Sequence, residues 1–296
     1  MNTLDIIVPV YNEEECLDEI VRRLNKVREN LSDRLEVSFI FVNDGSLDSS
    51  IDILRRLSED NSHVKVIGFS RNFGHQIAVT AGIENSNADY IAIIDADLQD
   101  PPELIIDMYN KSLEGFDIVY GKRKKRQNET AFKKVTAFGF YRVLNSLCNL
   151  DIPTDTGDFR LITKRVADVL KNMPEHNRFI RGMVPWVGFK SAPVEFDRDE
   201  RFAGETHYPL KAMLRLAANG IFSFSLKPLL AIYYLALFMF LLAVISLVKL
   251  NMLTFAIFFA VSIQLLGLGF AGTYIGRIYD EVKRRPLYII KDKYNI

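Results

Sequence analysis

Residues 90–103 read YIAIIDADLQDPPE, an apolar run followed at once by four carboxylates in nine residues. The apolar run is typical of a buried strand, and Asp95 and Asp97 stand where that strand is expected to end. Side chains two positions apart on an extended segment project to the same side, so these carboxylates repel one another unless a cation lies between them. The stretch therefore predicts a buried strand that carries a pair of acidic ligands to the edge of a sheet.

Four other short β-branched runs, DIIVPV, VSFIFV, VKVIGF and DIVYG, alternate with helical patterns such as LDEIVRRLNKVREN. This alternation predicts an α/β fold with a mostly parallel sheet and helices on both faces. Polar motifs follow the first four strands, at residues 11–13, 43–46, 71–74 and 95–97. Because ligands bind at the carboxyl ends of the strands in such sheets, we expect these motifs to meet at one edge. No GxGxxG follows the first strand, which disfavours a dinucleotide-binding Rossmann domain.

Overall charge gives no indication of a nucleic-acid partner, because 37 Lys and Arg balance 37 Asp and Glu. Local basic clusters occur at residues 121–126 and 283–285, and the first is interpreted equally well as a solvated loop near anionic lipid. Cys16 and Cys148 match no metal-ligand spacing and imply no disulfide framework.

Two long segments, 229–248 and 252–275, contain no Asp, Glu, Lys, Arg or His. Each has roughly 20 residues or more, enough for a helix to span a hydrocarbon core of about 30 Å. Only residues 249–251 separate them, which predicts a tight hairpin with both outer ends on one side. Cations are concentrated outside the hairpin, so both termini are expected in the cytoplasm. The alternative is a buried helical hairpin of a soluble protein.

The residues around this hairpin complete the predicted organisation. Residues 1–207 form a cytoplasmic catalytic domain, 208–227 a juxtamembrane amphipathic helix, 228–276 two transmembrane helices and 277–296 a cytoplasmic tail. The apolar spacing of YPLKAMLRLAANGIFSF is typical of a helix in the membrane interface, and docking on the soluble domain is the alternative. In the tail, the strand-like YII at 288–290 could pair with a neighbouring subunit, which favours a homo-oligomer.

The acidic pair suits a hard divalent cation, Mg²⁺ or Mn²⁺, because these ions prefer oxygen ligands and keep positions open for substrate phosphates. Asp97 is predicted as a direct metal ligand, Asp95 as a contact of the metal or of the donor ribose and sugar, and Gln99 as completing the shell. Asp100 is predicted to cap the following helix, with Pro101 at its first position.

Seven ordered motifs, VPVYNEEE, NDGSLDSS, RNFGHQIAVTAG, DADLQDPPE, GDFRLI, RFIRGM and RFAGETHYPLK, together resemble the family 2 glycosyltransferases of the GT-A fold. The chain is most similar to the polyprenyl-phosphate glycosyltransferases, which include dolichol-phosphate mannose synthase and bacterial undecaprenyl-phosphate glucosyltransferases. The resemblance covers essentially the whole chain. It implies a Rossmann-like, mostly parallel catalytic domain followed by the membrane hairpin.

The implied reaction is metal-assisted, inverting transfer of a hexose from a nucleotide-sugar to the phosphate of a membrane polyprenol. UDP-glucose is preferred slightly over a UDP-N-acetylhexosamine or GDP-mannose, and undecaprenyl phosphate is the implied acceptor at the cytoplasmic membrane. A different class, an inactive nucleotide-sugar-binding membrane scaffold, is the alternative that metal-dependent donor turnover would exclude.

The resemblance also assigns residues of the donor site. Pro9, Tyr11 and Glu13 fall to the donor base and ribose, and Asp44 to the edge of the base. Arg71 contacts the donor phosphate or anchors its own loop. His75 is interpreted as a loop histidine with its hydrogen bonds satisfied, and Trp186 as a packing residue.

Asp158 in GDFRL takes the position of the family's catalytic aspartate, expected to orient the acceptor phosphate and sugar hydroxyls or to accept a proton. Pairing with Arg160 is the alternative. A phosphate monoester is already ionised at pH 7, so the acceptor requires cations more than it requires a base. Arg123 and Arg201 are the favoured acceptor ligands. The full set of candidates is Arg123, Lys134, Arg178, Arg181 and Arg201.

Overall fold

The computed structural model describes residues 1–123, 156–197 and 253–296. Within these ranges the chain forms one eight-stranded sheet. Its strands are β1 (Asn2–Val10), β2 (Leu35–Asn43), β3 (Val64–Phe69), β4 (Tyr90–Ile93), β5 (Ile118–Arg123), β6 (Thr156–Thr163), β7 (Ser191–Phe196) and β8 (Ile290–Tyr294).

Helices follow most of the strands in the described ranges. They are α1 (Leu17–Leu31), α2 (Ser50–Asp60), α3 (His75–Glu84), α4 (Leu104–Ser112), α5 (Lys164–Asn172), α6 (Ile180–Trp186) and α7 (Leu253–Lys283). In α1 the buried side chains recur every three or four residues, from Leu17 to Leu31, so one apolar stripe packs on the sheet.

The strand order is β7-β5-β6-β4-β1-β2-β3-β8. The four central strands, β4, β1, β2 and β3, are parallel, which confirms the predicted parallel core. The flanks are mixed, because β6 runs antiparallel to both β4 and β5, and β8 runs antiparallel to β3. All five predicted strands are present, and β6 adds a sixth from the GDFRL motif.

β1 lies at the centre of the sheet and is buried on both faces. Ile6 and Val8 pack in one apolar cluster and Ile7 packs in the other. A central parallel strand covered by helices on both sides has this pattern. Two apolar layers therefore hold the carboxyl ends of the central strands at fixed positions.

The C-terminal tail completes the sheet within its own chain. β8 pairs with β3 in the register Val66 to Tyr294 through Phe69 to Ile290, and Ser70 N–H donates to Ile289 O at 3.0 Å. The pairing predicted with a neighbouring subunit is thus made with β3 instead, because this edge of the same chain is open and adjacent. A homo-oligomer stays a prediction, and the strand-like tail no longer supports it.

The described ranges contain no helix that combines the length and the apolar composition needed to cross a membrane. α7 begins at Leu253 and continues to Lys283, several residues beyond the predicted second segment. Four predictions fall outside the described residues, namely the first segment 229–248, the interfacial helix 208–227, Lys134 and Arg201.

Candidate active site

The loops after β1, β2 and β3 interlock at one edge of the sheet. Asn12 Oδ1 accepts from Leu47 N–H at 2.8 Å, and Asn12 N–H donates to Ser46 Oγ at 3.0 Å. Gly45, with φ +65°, lies so close to the third loop that an added Cβ would come within 2.4 Å of the carbonyl carbon of Arg71. Only glycine fits there, and the predicted convergence of the motifs is observed.

Asp44 anchors the loop that follows β3. Its carboxylate accepts from Phe73 N–H at 2.7 Å and Gly74 N–H at 2.9 Å. Burial raises the pKa of Asp44, while these two hydrogen bonds oppose the rise. The Arg71 guanidinium lies 3.9 Å from the centre of the Phe73 ring and donates to Asn72 O. These contacts correspond to the loop-anchoring alternative for Arg71, and contact of either residue with the donor stays a prediction.

A cavity of about 410 Å³ opens beside these loops, within the range of roughly 300–1,000 Å³ typical of small-molecule sites. Its lining residues are Asn12, Glu13, Glu14, Glu15, Cys16, Leu47 and Asp48. Of the residues predicted to bind the donor, Glu13 lines this cavity. Tyr11, two residues before Glu13, is 38% exposed, and Pro9 is buried within β1. Burial, with Glu13 and Asp97 nearby, raises the pKa of the Cys16 thiol to about 11. Four of the seven lining residues are acidic, namely Glu13, Glu14, Glu15 and Asp48.

The acidic pair lies in a loop rather than on an extended strand. β4 ends at Ile93, Leu98 has φ +58°, and Asp97 Oδ1 accepts from Gln99 N–H at 3.1 Å. The expectation that both carboxylates share one side of an extended segment is therefore wrong, because the chain turns directly after the strand. They remain close enough for the charge of Asp97 to raise the pKa of Asp95.

Asp95 faces residues distant in the chain. Its Oδ1 is buried and accepts no hydrogen bond from any group in the described ranges, and it lies 3.7 Å from His75 Nε2. Burial is the largest cause that raises the pKa of Asp95, and the charges of Asp158 and Asp97 add to it. A buried carboxylate oxygen without a hydrogen donor favours a cation at this point.

Asp158, on β6, is held on both of its carboxylate oxygens. Arg181 donates from Nε to Oδ1 and from Nη2 to Oδ2, both at 2.8 Å, and His75 Nε2 lies 3.1 Å from Oδ2. Burial would raise the pKa of Asp158, but Arg181 and His75 outweigh it and hold that pKa well below its usual range. Asp158 is therefore ionised and a poor proton acceptor at neutral pH.

The chemistry of this cluster fits a divalent metal. The ligating atoms of His75, Asp95 and Asp158 lie within 4.8 Å of one another, and carboxylate oxygens suit Mg²⁺ and Mn²⁺. Burial lowers the pKa of His75, but its hydrogen bond to Asp158 and the charge of Asp95 raise it to about 8. Asp97 and Gln99 form the adjacent turn, and their ligand role stays a prediction.

His75 was interpreted as a loop residue, yet it stands in the centre of the cluster. The signal that could have found it is its place at the start of α3, at the end of the loop that follows the third strand. Gln76 next to it accepts from Ile180 N–H at 2.8 Å through Oε1, so the same turn also holds the beginning of α6. α6 carries Arg181 to Asp158.

The other predicted cations lie elsewhere. Arg123 Nη2 lies 3.5 Å from Asp100 Oδ1, and Arg178 is buried, with its guanidinium donating to Leu170 O and Met173 O. Arg178 therefore supports α5 and does not face the cluster. Arg160 donates to the carbonyls of Gly157 and Asp158 and lies 3.8 Å from the Asp158 carboxylate, a weaker partner than Arg181.

Two further predictions are corrected. Asp100 does not cap α4, because that helix begins at Leu104 and Asp100 is instead buried against Arg123. Trp186, for which core or interface packing is predicted, is 58% exposed at the end of α6, so it is not part of the core, and interface packing stays a prediction.

A mixed α/β sheet of this strand order, with carboxylates gathered at the carboxyl edge of its central strands, resembles the GT-A fold of glycosyltransferases. The chain belongs to glycosyltransferase family 2, because the family model described as glycosyl transferase family 2 matches residues 5–170. The predicted family is thereby confirmed.

Relatives match over nearly the whole chain. An uncharacterized glycosyltransferase, YkcC of Bacillus subtilis, is 50% identical over 98% of this chain and 94% of its own. A prophage bactoprenol glucosyl transferase homolog of Escherichia coli is 38% identical over 97% of this chain and 98% of its own. Mannosyl-3-phosphoglycerate synthase from Rubrobacter xylanophilus aligns with a TM-score of 0.50 and 15% identity, over 74% of this chain and 71% of that one, which shows the fold alone.

Proposed function

We propose that this glycosyltransferase moves glucose from UDP-glucose to undecaprenyl phosphate at the cytoplasmic face of the membrane, with inversion at the anomeric carbon. The observation that carries the proposal is the cluster of Asp95, Asp158, His75 and Arg181 at the carboxyl edge of the sheet, in which Asp158 is buried and the other three are partly buried. Relatives named bactoprenol glucosyl transferase, similar over nearly their whole length, support the acceptor and the sugar.

The ionisation of Asp158 supports a reaction without a general base. An acceptor phosphate monoester carries roughly −1.5 to −2 charges at pH 7, so its oxygen attacks without losing a proton to the protein. Asp158 is already committed to Arg181 and His75. Its role in this proposal is to fix these two cationic or polar groups in the site.

Bringing two phosphates within about 3–3.5 Å of a shared carbon requires positive charge. Mg²⁺ or Mn²⁺, when bound by Asp95 with His75 or Asp97 nearby, would neutralise the diphosphate leaving group. The unpartnered oxygen of Asp95 supports this site. Arg123, and Arg201 beyond the described residues, are proposed to hold the acceptor phosphate.

Membrane attachment is proposed from the uncharged segments 229–248 and 252–275. Ile257, Leu265 and Leu268 of α7 are each more than half exposed, and such a surface suits an apolar environment. Because β8 joins the sheet of the catalytic domain, the chain must cross the membrane an even number of times between β7 and β8. Two crossings, with both termini cytoplasmic, satisfy this requirement.

The test is nucleotide release by the detergent-solubilised protein with undecaprenyl phosphate, Mn²⁺ or Mg²⁺, and a panel of UDP-glucose, UDP-N-acetylhexosamines and GDP-mannose. We expect release of UDP from UDP-glucose that stops without acceptor or with chelator. Asp95→Asn should lower turnover roughly 100-fold or more, since it removes the proposed metal ligand and with it the positive charge that would neutralise the leaving diphosphate.

Asp107→Asn is the matched control, because Asp107 is exposed on α4, and its turnover should be unchanged. Release from a different donor would correct the sugar. If folded protein released nucleotide from no donor, the inactive nucleotide-sugar-binding scaffold would replace the enzyme.

A further inference from the structure

Three aromatic rings connect the C-terminal tail to the active-site loop. Tyr288 stacks on Phe69 with ring centroids 5.0 Å apart and planes 20° from parallel. Phe69 in turn meets the edge of Phe73 at 5.6 Å. Phe73 is the residue whose N–H donates to Asp44. The tail therefore contacts the loop at residues 70–74 through the ring of Phe69.

The same tyrosine also holds the far end of α3. Its hydroxyl donates to Glu84 Oε2 at 2.7 Å, and Glu84 is the last residue of the helix that begins at His75. Beside it, Lys293 Nζ donates to Asn85 Oδ1 at 3.1 Å. Burial, with Glu84 next to the phenol, raises the pKa of Tyr288, so the hydroxyl keeps its proton at neutral pH and remains a donor.

From these contacts we infer that Tyr288 is a positioning residue for the active site, acting through the loop at residues 70–74 and through α3. This inference rests on the proposed function. Tyr288 fixes the loop before α3 and the last turn of α3, while His75 Nε2 lies 3.1 Å from Asp158 between these supports. A helix fixed at both ends keeps His75 in hydrogen-bond range of Asp158 and near Asp95.

The tail itself is well secured, which makes it a suitable support. β8 is hydrogen-bonded to β3, and Asn295 Nδ2 donates to Ser58 O at 2.6 Å and to Val64 O at 2.9 Å. Glu281 of α7 accepts from His176 N–H at 2.7 Å. The chain on both sides of Tyr288 is therefore attached to the catalytic domain.

The experiment compares the full-length protein in detergent with Tyr288→Ala, Tyr288→Phe and Lys291→Ala. Lys291 is exposed on β8, three residues after Tyr288, and serves as the matched control. In Tyr288→Ala we expect amide hydrogen exchange of residues 70–76 to rise roughly tenfold, the scale of losing one aromatic pair. The kcat should fall by a similar factor while KM for the donor changes little. Tyr288→Phe, which keeps the ring stack, should restore slow exchange at 70–76.

Unchanged exchange at residues 70–76 in folded Tyr288→Ala would overturn the inference. So would an equal rise in α1, because that would mean global loss of stability rather than local release. If Tyr288→Ala does not fold, Tyr288→Leu, which keeps apolar bulk without the ring, gives the same comparison. Exchange requires no sugar transfer, so this readout stands even if the proposed reaction fails.

Discussion

At the scale of single residues, the most important feature is that both carboxylate oxygens of Asp158 are already engaged by other side chains. A carboxylate that is 2% exposed and bound twice by one guanidinium is a fixed negative charge. Its value to the site is geometric, because it determines where Arg181 and His75 stand. A catalytic role for Asp158 stays a prediction, and the structure shows this residue as the shared partner of Arg181 and His75.

Asp158→Asn should lower turnover by roughly 100-fold. It should also destabilise the fold by about 1–3 kcal/mol, because the Arg181 guanidinium loses its ionic partner. Turnover in the nucleotide-release assay and thermal unfolding would measure the two effects. Asp168→Asn, on the exposed face of α5, is the matched control. Near-full turnover of folded Asp158→Asn would refute an essential role.

The sequence located Asp95, Asp97 and Asp158 because each lies in a short local motif. It did not bring His75 and Arg181 to them, since His75 is 83 residues from Asp158 and Arg181 is 23 residues away. Their contact depends on the packing of α3 and α6, which no local pattern encodes. Pro9, by contrast, was assigned by motif alone and is buried within β1.

At the scale of elements, Gly82 determines how closely α3 packs on the sheet. A Cβ at this position would lie 2.4 Å from Ile7 Cγ2, and Ile7 is fully buried. Because the Cγ2 methyl group of Ile7 is attached to Cβ, close to the backbone of β1, it cannot move away from the helix. The helix that carries His75 is therefore seated as closely as its backbone allows.

Gly82→Ala should destabilise the protein by about 1–3 kcal/mol, as overpacking usually does, and should reduce turnover by displacing His75. Gly276→Ala on α7 is the control, because among the described residues no atom outside the neighbouring backbone of the helix lies within 4 Å of the added Cβ. Urea unfolding of both variants measures the difference. Equal stability of Gly82→Ala and the parent would mean that α3 is not closely packed on β1.

The strands differ in how clearly the sequence pattern predicts them. β1 to β5 contain dense β-branched runs, and these were predicted. β6 carries Asp158 and Arg160 in its interior, and β8 reads IKDKY, so neither has the composition of a buried strand. β6 tolerates the charge of Asp158 because Arg181 and His75 compensate for it, and Arg160 donates to the carbonyls of Gly157 and Asp158. β8 carries three consecutive charged residues, which suits an edge strand.

At the scale of the whole molecule, the pairing of β8 with β3 holds the C-terminus beside the catalytic sheet, so the proposed topology requires both to lie on one side of the membrane. We therefore expect Ile296→Cys and Asp33→Cys, in a Cys148→Ser background, to react with an impermeant maleimide only after cells are permeabilised. Asn251→Cys, in the predicted hairpin loop, should react in intact cells. Labelling of Ile296→Cys in intact cells would contradict both the topology and the β8–β3 pairing.

The position of β8 at the end of the chain also determines when the sheet can be completed during synthesis. About 90 residues separate β7 from β8, which at about 5–20 residues per second amounts to roughly 5 to 20 seconds of translation. During this interval the outer edge of β3 has no strand beside it, and an uncovered edge is prone to pair with other chains. The intervening apolar segments must be translated before the sheet can close, so a ribosome that stalls within them leaves a catalytic domain exposed to aggregation.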